Sequence, residues 1–385
     1  MNYVTTDASE DLQARRKAAA AECTRWLSGR RVPPADALRG LADVATSDER
    51  DGYGTGGEVE LLEQEVAELL GKPAAVFLPS GILAQQSVLR VFADRAGTRR
   101  IAVHGLSHLL LHELNALEEV HQLRMERMTS EPRQPRPDEL AAIPGKLAAV
   151  TVELPLRDGG FVLPTWDELV VFAAACSERG VPLHLDGARL WESTPYLEHS
   201  LAEVAALATT VYVSFYKGLG GLSGAALAGP EDVIAEVRRW QRRLGGNVYT
   251  LFPYAVSARE GLRTVLPQMG DLHQRAVELA EALQGTGFRV FPEPPHTNSF
   301  RVYAPRPAAE MELAAVLRME ATRESLSYTW RAADVPGWSW VELVVTPGTL
   351  QWRIDEVSKG FGELLGGWGR PPGVRVRESQ HNGEK

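Results

Sequence analysis

Between Val59 and Ala228 the chain alternates short apolar runs with segments whose apolar residues recur at helical spacing, and this alternation restricts the fold more than any other feature. Val59, Leu62, Val66, Leu69 and Leu70 mark one face of a helix that Gly71 closes. Ala74 to Leu78 then reads as a strand, Ile82 to Phe92 as a helix, Ile101 to Val103 as a strand, and the stretch through Glu119 as a helix. Leu147 to Leu154 is a further strand, bounded by Pro155. Thr165-Trp166-Asp167-Glu168 has the pattern of a capping box and opens a helix that stops at Gly180. A strand ending at Asp186, a helix near Leu201 to Ala208, a strand before Lys217 and a short strand from Ala225 to Ala228 complete the series. Strands separated by helices in this way pack as an α/β structure, a mostly parallel sheet with helices on both faces.

The flanks read differently. Asp11 to Ala20 is predicted helical, Pro33-Pro34 breaks the chain before a short helix from Ala35 to Val44, and residues 1–44 are read as an arm. Asp48 to Gly57 is a glycine- and charge-rich loop that opens a large domain of residues 45–265. A long helical stretch spans Tyr254 to Leu283. Beyond it, strands at Phe288 to Phe291, Ser299 to Tyr303 and Val341 to Val345, with helices at Glu310 to Met319 and Ile354 to Leu365, form a smaller α+β domain of residues 266–369. Residues 370–385 are a polar tail.

With 385 residues and 44% hydrophobic content, the chain can bury a core of this size. Its formal charge of -9 and the lack of a basic stripe interleaved with aromatics argue against nucleic acid or an anionic membrane as partner. Two distant cysteines, Cys23 and Cys176, suit a reducing cytoplasm rather than a disulfide framework. No apolar run has the length of a membrane span or a secretory leader, so a cytoplasmic location is expected.

Ligands of such sheets lie beyond the C-terminal strand ends. Three predicted strand ends bear chemistry: Ser80-Gly81, His184-Leu185-Asp186-Gly187-Ala188-Arg189 and Ser214-Phe215-Tyr216-Lys217-Gly218-Leu219-Gly220. A lysine in a glycine-rich turn beside a strand-end aspartate suits an enzyme built around pyridoxal 5'-phosphate. The lysine would form a Schiff base with the aldehyde, and the aspartate would keep the ring nitrogen protonated. Most lysines are solvated surface charges, and Asp186 could merely cap a turn. Ser80, Gly81 and Ile82 open a helix whose N-terminal amides would favour a phosphate. His104, His108 and His112 recur every fourth residue, which would align them on one helical face. Without a supporting carboxylate pattern an amphipathic face is preferred to a metal site, and no metal is expected.

The segments His-Leu-Asp-Gly-Ala-Arg-Leu and Lys-Gly-Leu-Gly-Gly-Leu-Ser-Gly-Ala resemble the two signature segments of the L-threonine aldolase family, which belongs to the aldolase and β-eliminating-lyase branch of the fold-type-I pyridoxal phosphate enzymes. Tyr53-Gly54-Thr55, the strand and turn from Ala74 to Gly81, and Ser107-His108-Leu109-Leu110 are similar to further family segments in the same order. The resemblance implies Lys217, His108 and Asp186 as catalytic groups, with Ser80, Gly81, Ile82, His108, Asp186, Arg189, Tyr216 and Lys217 around the cofactor. It further implies Ser28, Tyr53 and Arg189 against the substrate, with Arg189 gripping its carboxylate.

The chain departs from the family where Tyr216 replaces the usual Ser, Ile82 a Thr, and Glu342 a second carboxylate-binding Arg. Arg331 or Arg353 could take that place, and Trp330, Trp338, Trp340 and Trp352 are read as packing of the small domain. The expected reaction is cleavage of a threonine-like β-hydroxy-α-amino acid to glycine and an aldehyde, in a homodimer or homotetramer. A β-eliminating lyase, an amino-acid racemase and a non-catalytic binding protein of the same fold are the alternatives.

Overall fold

The computed structural model describes residues 5–29 and 32–366, with side chains described from Glu10 onward. The expected tail from Arg370 lies outside the described residues.

Seven strands form the large sheet, in the spatial order Ala74–Leu78, Ala225–Gly229, Thr210–Ser214, Leu183–Gly187, Ala149–Glu153, Arg100–Val103 and Arg124–Arg127. Ala225–Gly229 runs antiparallel to both neighbours, and the other neighbouring pairs are parallel. Alternate residues of each strand enter different cores, as the period of a strand requires. Ala75 and Phe77 pack in one cluster with Leu62 and Phe172, while Val76 and Leu78 pack in the other with Val88, Phe92 and Val233. Helices Gly57–Leu69 and Trp166–Glu178 therefore cover one face of the sheet, and Gly81–Ala96 and Glu231–Arg243 cover the other.

The local signals explain where the helices start and stop. The Thr165 hydroxyl accepts from Glu168 N at 3.3 Å, and the Glu168 carboxylate accepts from Thr165 N at 2.9 Å, which closes the expected capping box. Gly97 ends Gly81–Ala96 in the left-handed conformation, at φ 64°.

Two sequence expectations need correction, and one strand has no counterpart in them. The helix expected through Glu119 is two short helices, His108–Leu111 and Ala116–His121, separated by Leu114 and Asn115 at φ 51° and 57°. The stretch from Tyr254 to Leu283 divides into Phe252–Thr264, a 3-10 turn at Leu266–Gln268 and Met269–Gln284, because Pro267 cannot donate to the helical ladder. The strand Arg124–Arg127 escaped notice because an edge strand rich in charge has no apolar run; pairing with Arg100–Val103 defines it.

Four antiparallel strands, ordered Arg331–Ala332, Ser339–Val344, Ser299–Ala304 and Arg289–Phe291, build the smaller sheet. Helix Thr5–Glu22 lies along Ala308–Thr322, where Ala19 and Cys23 pack with Val316 and Met319 and Arg16 meets Glu312 at 2.9 Å. Arg25–Trp26 pairs in parallel with Glu324–Ser325, so the N-terminal segment is built into the small domain.

Candidate active site

The parallel strands of the large sheet end at one edge, and the loops leaving them bring Ser80, His108, Glu153, Asp186 and Lys217 together. A cavity of about 200 Å³ opens there, lined by these residues together with Gly81, Ile82, Arg189 and Tyr216. Glu153 and Asp186 are register partners on adjacent strands, which sets two carboxylates side by side. Asp186 is 3% exposed and accepts from Ala188 N at 3.2 Å.

Charge in this cavity is kept out of water. Burial is the first cause that lowers the Lys217 ammonium to about 8, and the Arg189 guanidinium acts in the same direction. Burial likewise raises Asp186 above the ordinary carboxylate value, while Lys217 opposes the rise. Glu153 is pushed up to about 7, by burial first and by Asp186 second. Its two oxygens accept from the backbone N–H groups of His108, at 2.9 Å, and Arg157, at 3.2 Å, and so hold both loops to the strand end. The His108 Nδ1 meets Glu113 Oε1 at 3.1 Å, and this hydrogen bond raises the imidazole against the opposing effect of burial.

These groups fit pyridoxal phosphate. An amine poised near neutrality can condense with an aldehyde, and a buried carboxylate beside it can meet a protonated ring nitrogen. Ser80 is the N-cap of Gly81–Ala96, accepting from Leu83 N at 3.3 Å, so the first amides of a 16-residue helix face the cavity mouth. Ile82 is 39% exposed at that mouth and offers its backbone N–H. Gly81 packs directly on Tyr212, where a methyl group would collide with the phenol.

Several expected residues lie elsewhere. Ser28 is 4% exposed, and its hydroxyl both donates to Val344 O and accepts from Val344 N at 3.0 Å, tying the N-terminal segment to the small sheet. Tyr53 is 62% exposed, outside the cavity, with its ring edge-on to Tyr249 at 5.3 Å. The buried Asp51 fixes this region by accepting from Thr250 Oγ1, Leu251 N and Phe252 N. His104 turns to Arg133 O and His112 to Asp158, so the three histidines do not converge. Arg331 and Arg353 are exposed, over Trp340 and against Asp355 respectively, and neither reaches the cavity. Trp330 and Trp352 are buried in the small domain.

The cavity also contains residues that the sequence reading passed over. Gln85, one turn beyond Gly81, bonds His184 Nε2 at 2.6 Å, so His184 belongs to the support of the site rather than to its surface. Arg157 bonds both oxygens of Glu342, at 2.9 and 3.0 Å. The guanidinium at this side of the cavity thus comes from the loop after Glu153, with the small domain supplying its carboxylate. Glu113 was hidden because its distance from His108, five residues, matches no helical or strand period.

Comparison with known proteins agrees with this geometry. A family model described as β-eliminating lyase matches residues 33–306, most of the chain. The low-specificity L-threonine aldolase 1 of Arabidopsis thaliana is 26% identical over 67% of this chain and 74% of its own length. A structure from Listeria monocytogenes EGD-E, a candidate L-allo-threonine aldolase by its name, superposes with TM-score 0.87 at 34% identity, covering 92% of this chain and 99% of that one. A structure from Exiguobacterium sp. 255-15, named as a candidate aromatic amino acid β-eliminating lyase/threonine aldolase, gives TM-score 0.86 at 36% identity, covering 91% and 99%. The lysine and aspartate at adjacent strand ends, the fold-type-I architecture and the matched span together assign the chain to the β-eliminating lyase family of pyridoxal phosphate-dependent enzymes, which includes the threonine aldolases.

Proposed function

We propose that this enzyme cleaves a β-hydroxy-α-amino acid of the threonine type to glycine and an aldehyde. The observation behind this reading is the convergence of Lys217, Asp186 and His108 on one cavity at the C-terminal edge of the parallel sheet. When bound, pyridoxal phosphate supplies the aldehyde that takes up the substrate amine and the ring that accepts the electron pair released at Cα.

The chain's own residues divide the remaining work. Lys217 Nζ would hold the cofactor between turnovers. The Asp186 carboxylate would keep a proton on the ring nitrogen. Ser80, Gly81 and Ile82 would hold the phosphate at the helix N-terminus, with Tyr216 beside them in the cavity wall. Arg189 orients the substrate carboxylate so that the bond from Cα to Cβ is the one that breaks. His108 takes the β-hydroxyl proton at its free nitrogen; the O–H pair becomes the aldehyde carbonyl as the carbon–carbon bond opens. A proton delivered to Cα completes glycine.

Wild-type protein loaded with cofactor and given L-threonine, L-allo-threonine and phenylserine is expected to release glycine and the matching aldehyde. Lys217→Ala is expected to lose the long-wavelength absorbance of lysine-bound cofactor and all turnover. The family match to β-eliminating lyases supports a second reading, and a keto acid with ammonia in place of glycine would establish it.

We further propose a homo-oligomer. Tyr53, Val248, Tyr249, Phe252 and Tyr254 are exposed together at the junction that Asp51 fixes, which leaves an aromatic surface for a second copy. Sedimentation of the purified protein tests this. Among the described residues no helix is long and apolar enough to cross a membrane, and both cysteines are free and buried, which supports a reducing, cytoplasmic setting.

A further inference from the structure

Glu113 is the carboxylate in the cavity wall that has a buried oxygen with no hydrogen-bond partner among the described residues. Its side chain is 1% exposed, its Oε1 meets His108 Nδ1 at 3.1 Å, and its Oε2 is buried with no hydrogen-bond partner among the described residues. A buried orphan oxygen of this kind gives up its hydration without a hydrogen bond in return. The turn that presents it is strained as well. Leu114 and Asn115 both take positive φ, 51° and 57°, and neither is glycine. Leu114 ends up 93% exposed, so the backbone turns a leucine into water while the preceding glutamate points inward. Strain of this kind, at the edge of a cavity, marks a position whose side chain is needed where it is.

We infer that Glu113 is the positioning residue of His108: it holds the imidazole in the Nδ1–H tautomer, leaves Nε2 as the basic nitrogen, and keeps a proton shared across the pair. This rests on the proposed aldolase role of His108. Among the described residues nothing bonds His108 Nε2, and the one ion pair of Glu113 is with His108, so the imidazole is the group its carboxylate touches. Around the pair stand Asp186 and Lys217 from the neighbouring strand ends, which both groups feel, and Glu153, whose carboxylate accepts from His108 N. His112, with its ring centroid 5.1 Å away, is engaged with Asp158, and Tyr212 and Tyr216 close the far side. Burial draws Glu113 toward its neutral form and the imidazole draws it back, while the carboxylate raises His108 above its ordinary value. Each group thus favours the charged form of the other across the 3.1 Å contact.

The sign of the effect follows. A base must be neutral to accept the β-hydroxyl proton, and Glu113 raises the pH at which His108 becomes neutral. Removing the charge moves that point down. The test compares Glu113→Gln, which can still accept from Nδ1–H but bears no charge, with Glu113→Ala, which can do neither. Imidazole nitrogen NMR of the full-length holoenzyme, with His108→Gln to identify the signal, reads the tautomer and titration of His108 directly.

In the wild type we expect the Nδ1–H tautomer and a titration above that of an ordinary histidine. Glu113→Gln should keep the tautomer, lower the titration, and move the acidic limb of the kcat/KM profile to lower pH. Glu113→Ala should lose the tautomer preference and at least about 10²-fold in kcat, the lower end of what a positioned base contributes. An unchanged His108 titration in Glu113→Gln, or activity lost with the tautomer and titration intact, would overturn the assignment. Because the NMR readout does not depend on turnover, absence of aldehyde from the wild type would count against the aldolase reading alone.

Discussion

Lys217 and Asp186 show how one physical term sets two residues in opposite directions. Burial disfavours charge on either, lowering the lysine to about 8 and raising the aspartate. His184, two residues before Asp186, is governed by the same term with a different result. It is fully buried between Thr210 Oγ1, at 2.8 Å, and Gln85 Oε1, at 2.6 Å, and is held neutral, with its pKa lowered from 6.5 to about 3. Since the folded value lies below the unfolded one, the unfolded chain takes up the proton first. Stability tied to His184 is thus complete above pH 6.5 and is lost as pH falls toward about 3. Urea unfolding of the cofactor-free protein across this window measures it. His184→Gln is expected to flatten the dependence of unfolding free energy on pH by up to one proton, whatever it does to stability at pH 7. An equal slope in variant and wild type would show that His184 is not the group responsible. Lysine, aspartate and arginine were legible at this scale because their segments are contiguous. His184 was read as part of the same motif, and only its partners reveal that it supports the strand from behind.

Among the elements, the helix Gly81–Ala96 does most to shape the site. Ser80 caps it, Gly81 lets it begin against Tyr212, and Gln85 reaches from its first turns to His184. The Ser80 hydroxyl accepts from Leu83 N at 3.3 Å, which fixes where the helix starts and leaves its O–H to donate to an anion. Gly81→Ala is expected to weaken cofactor binding at least about tenfold, because the added methyl must displace a phenol that is 3% exposed and cannot swing away. Titration of the apoenzyme with cofactor, followed by absorbance, gives the affinity. Adding Tyr212→Phe should recover only part of it, since the ring carbon that bears the hydroxyl is also in the way. The start of this helix was readable from the Ser-Gly pair after an apolar run. The break between His108–Leu111 and Ala116–His121 was not, because Leu and Asn are poor predictors of positive φ and tertiary packing imposes it.

At the scale of the whole molecule, the two larger sheets meet beside the cavity. The loop after Glu153 reaches the small domain, where Arg157 holds Glu342 and Arg301 donates to the carbonyls of Arg157 and Asp158 at 3.2 Å. The side chains of the Arg157–Glu342 pair are 20% and 15% exposed, so its strength lies between that of a surface pair and a fully buried one. A double-mutant cycle with Arg157→Met and Glu342→Gln is expected to give a coupling energy of about 1–2 kcal/mol in chemical denaturation. Because Arg157 also lines the cavity, either single change should raise KM for the amino acid more than it lowers kcat. Coupling near zero would mean that this ion pair does not help to hold the two sheets together.

The amino-acid order by itself determined the alternation of strands and helices and the strand ends that bear Lys217 and Asp186. Periodicity, caps and glycine turns are written in near neighbours, where backbone sterics and local burial decide the outcome. Only the tertiary structure decided that Glu113 turns under His108 and that Arg157 meets Glu342 across 185 residues. The Arg157–Glu342 contact depends on how whole elements pack, and the His108–Glu113 contact on a turn whose positive φ values at Leu114 and Asn115 those two residue types do not announce.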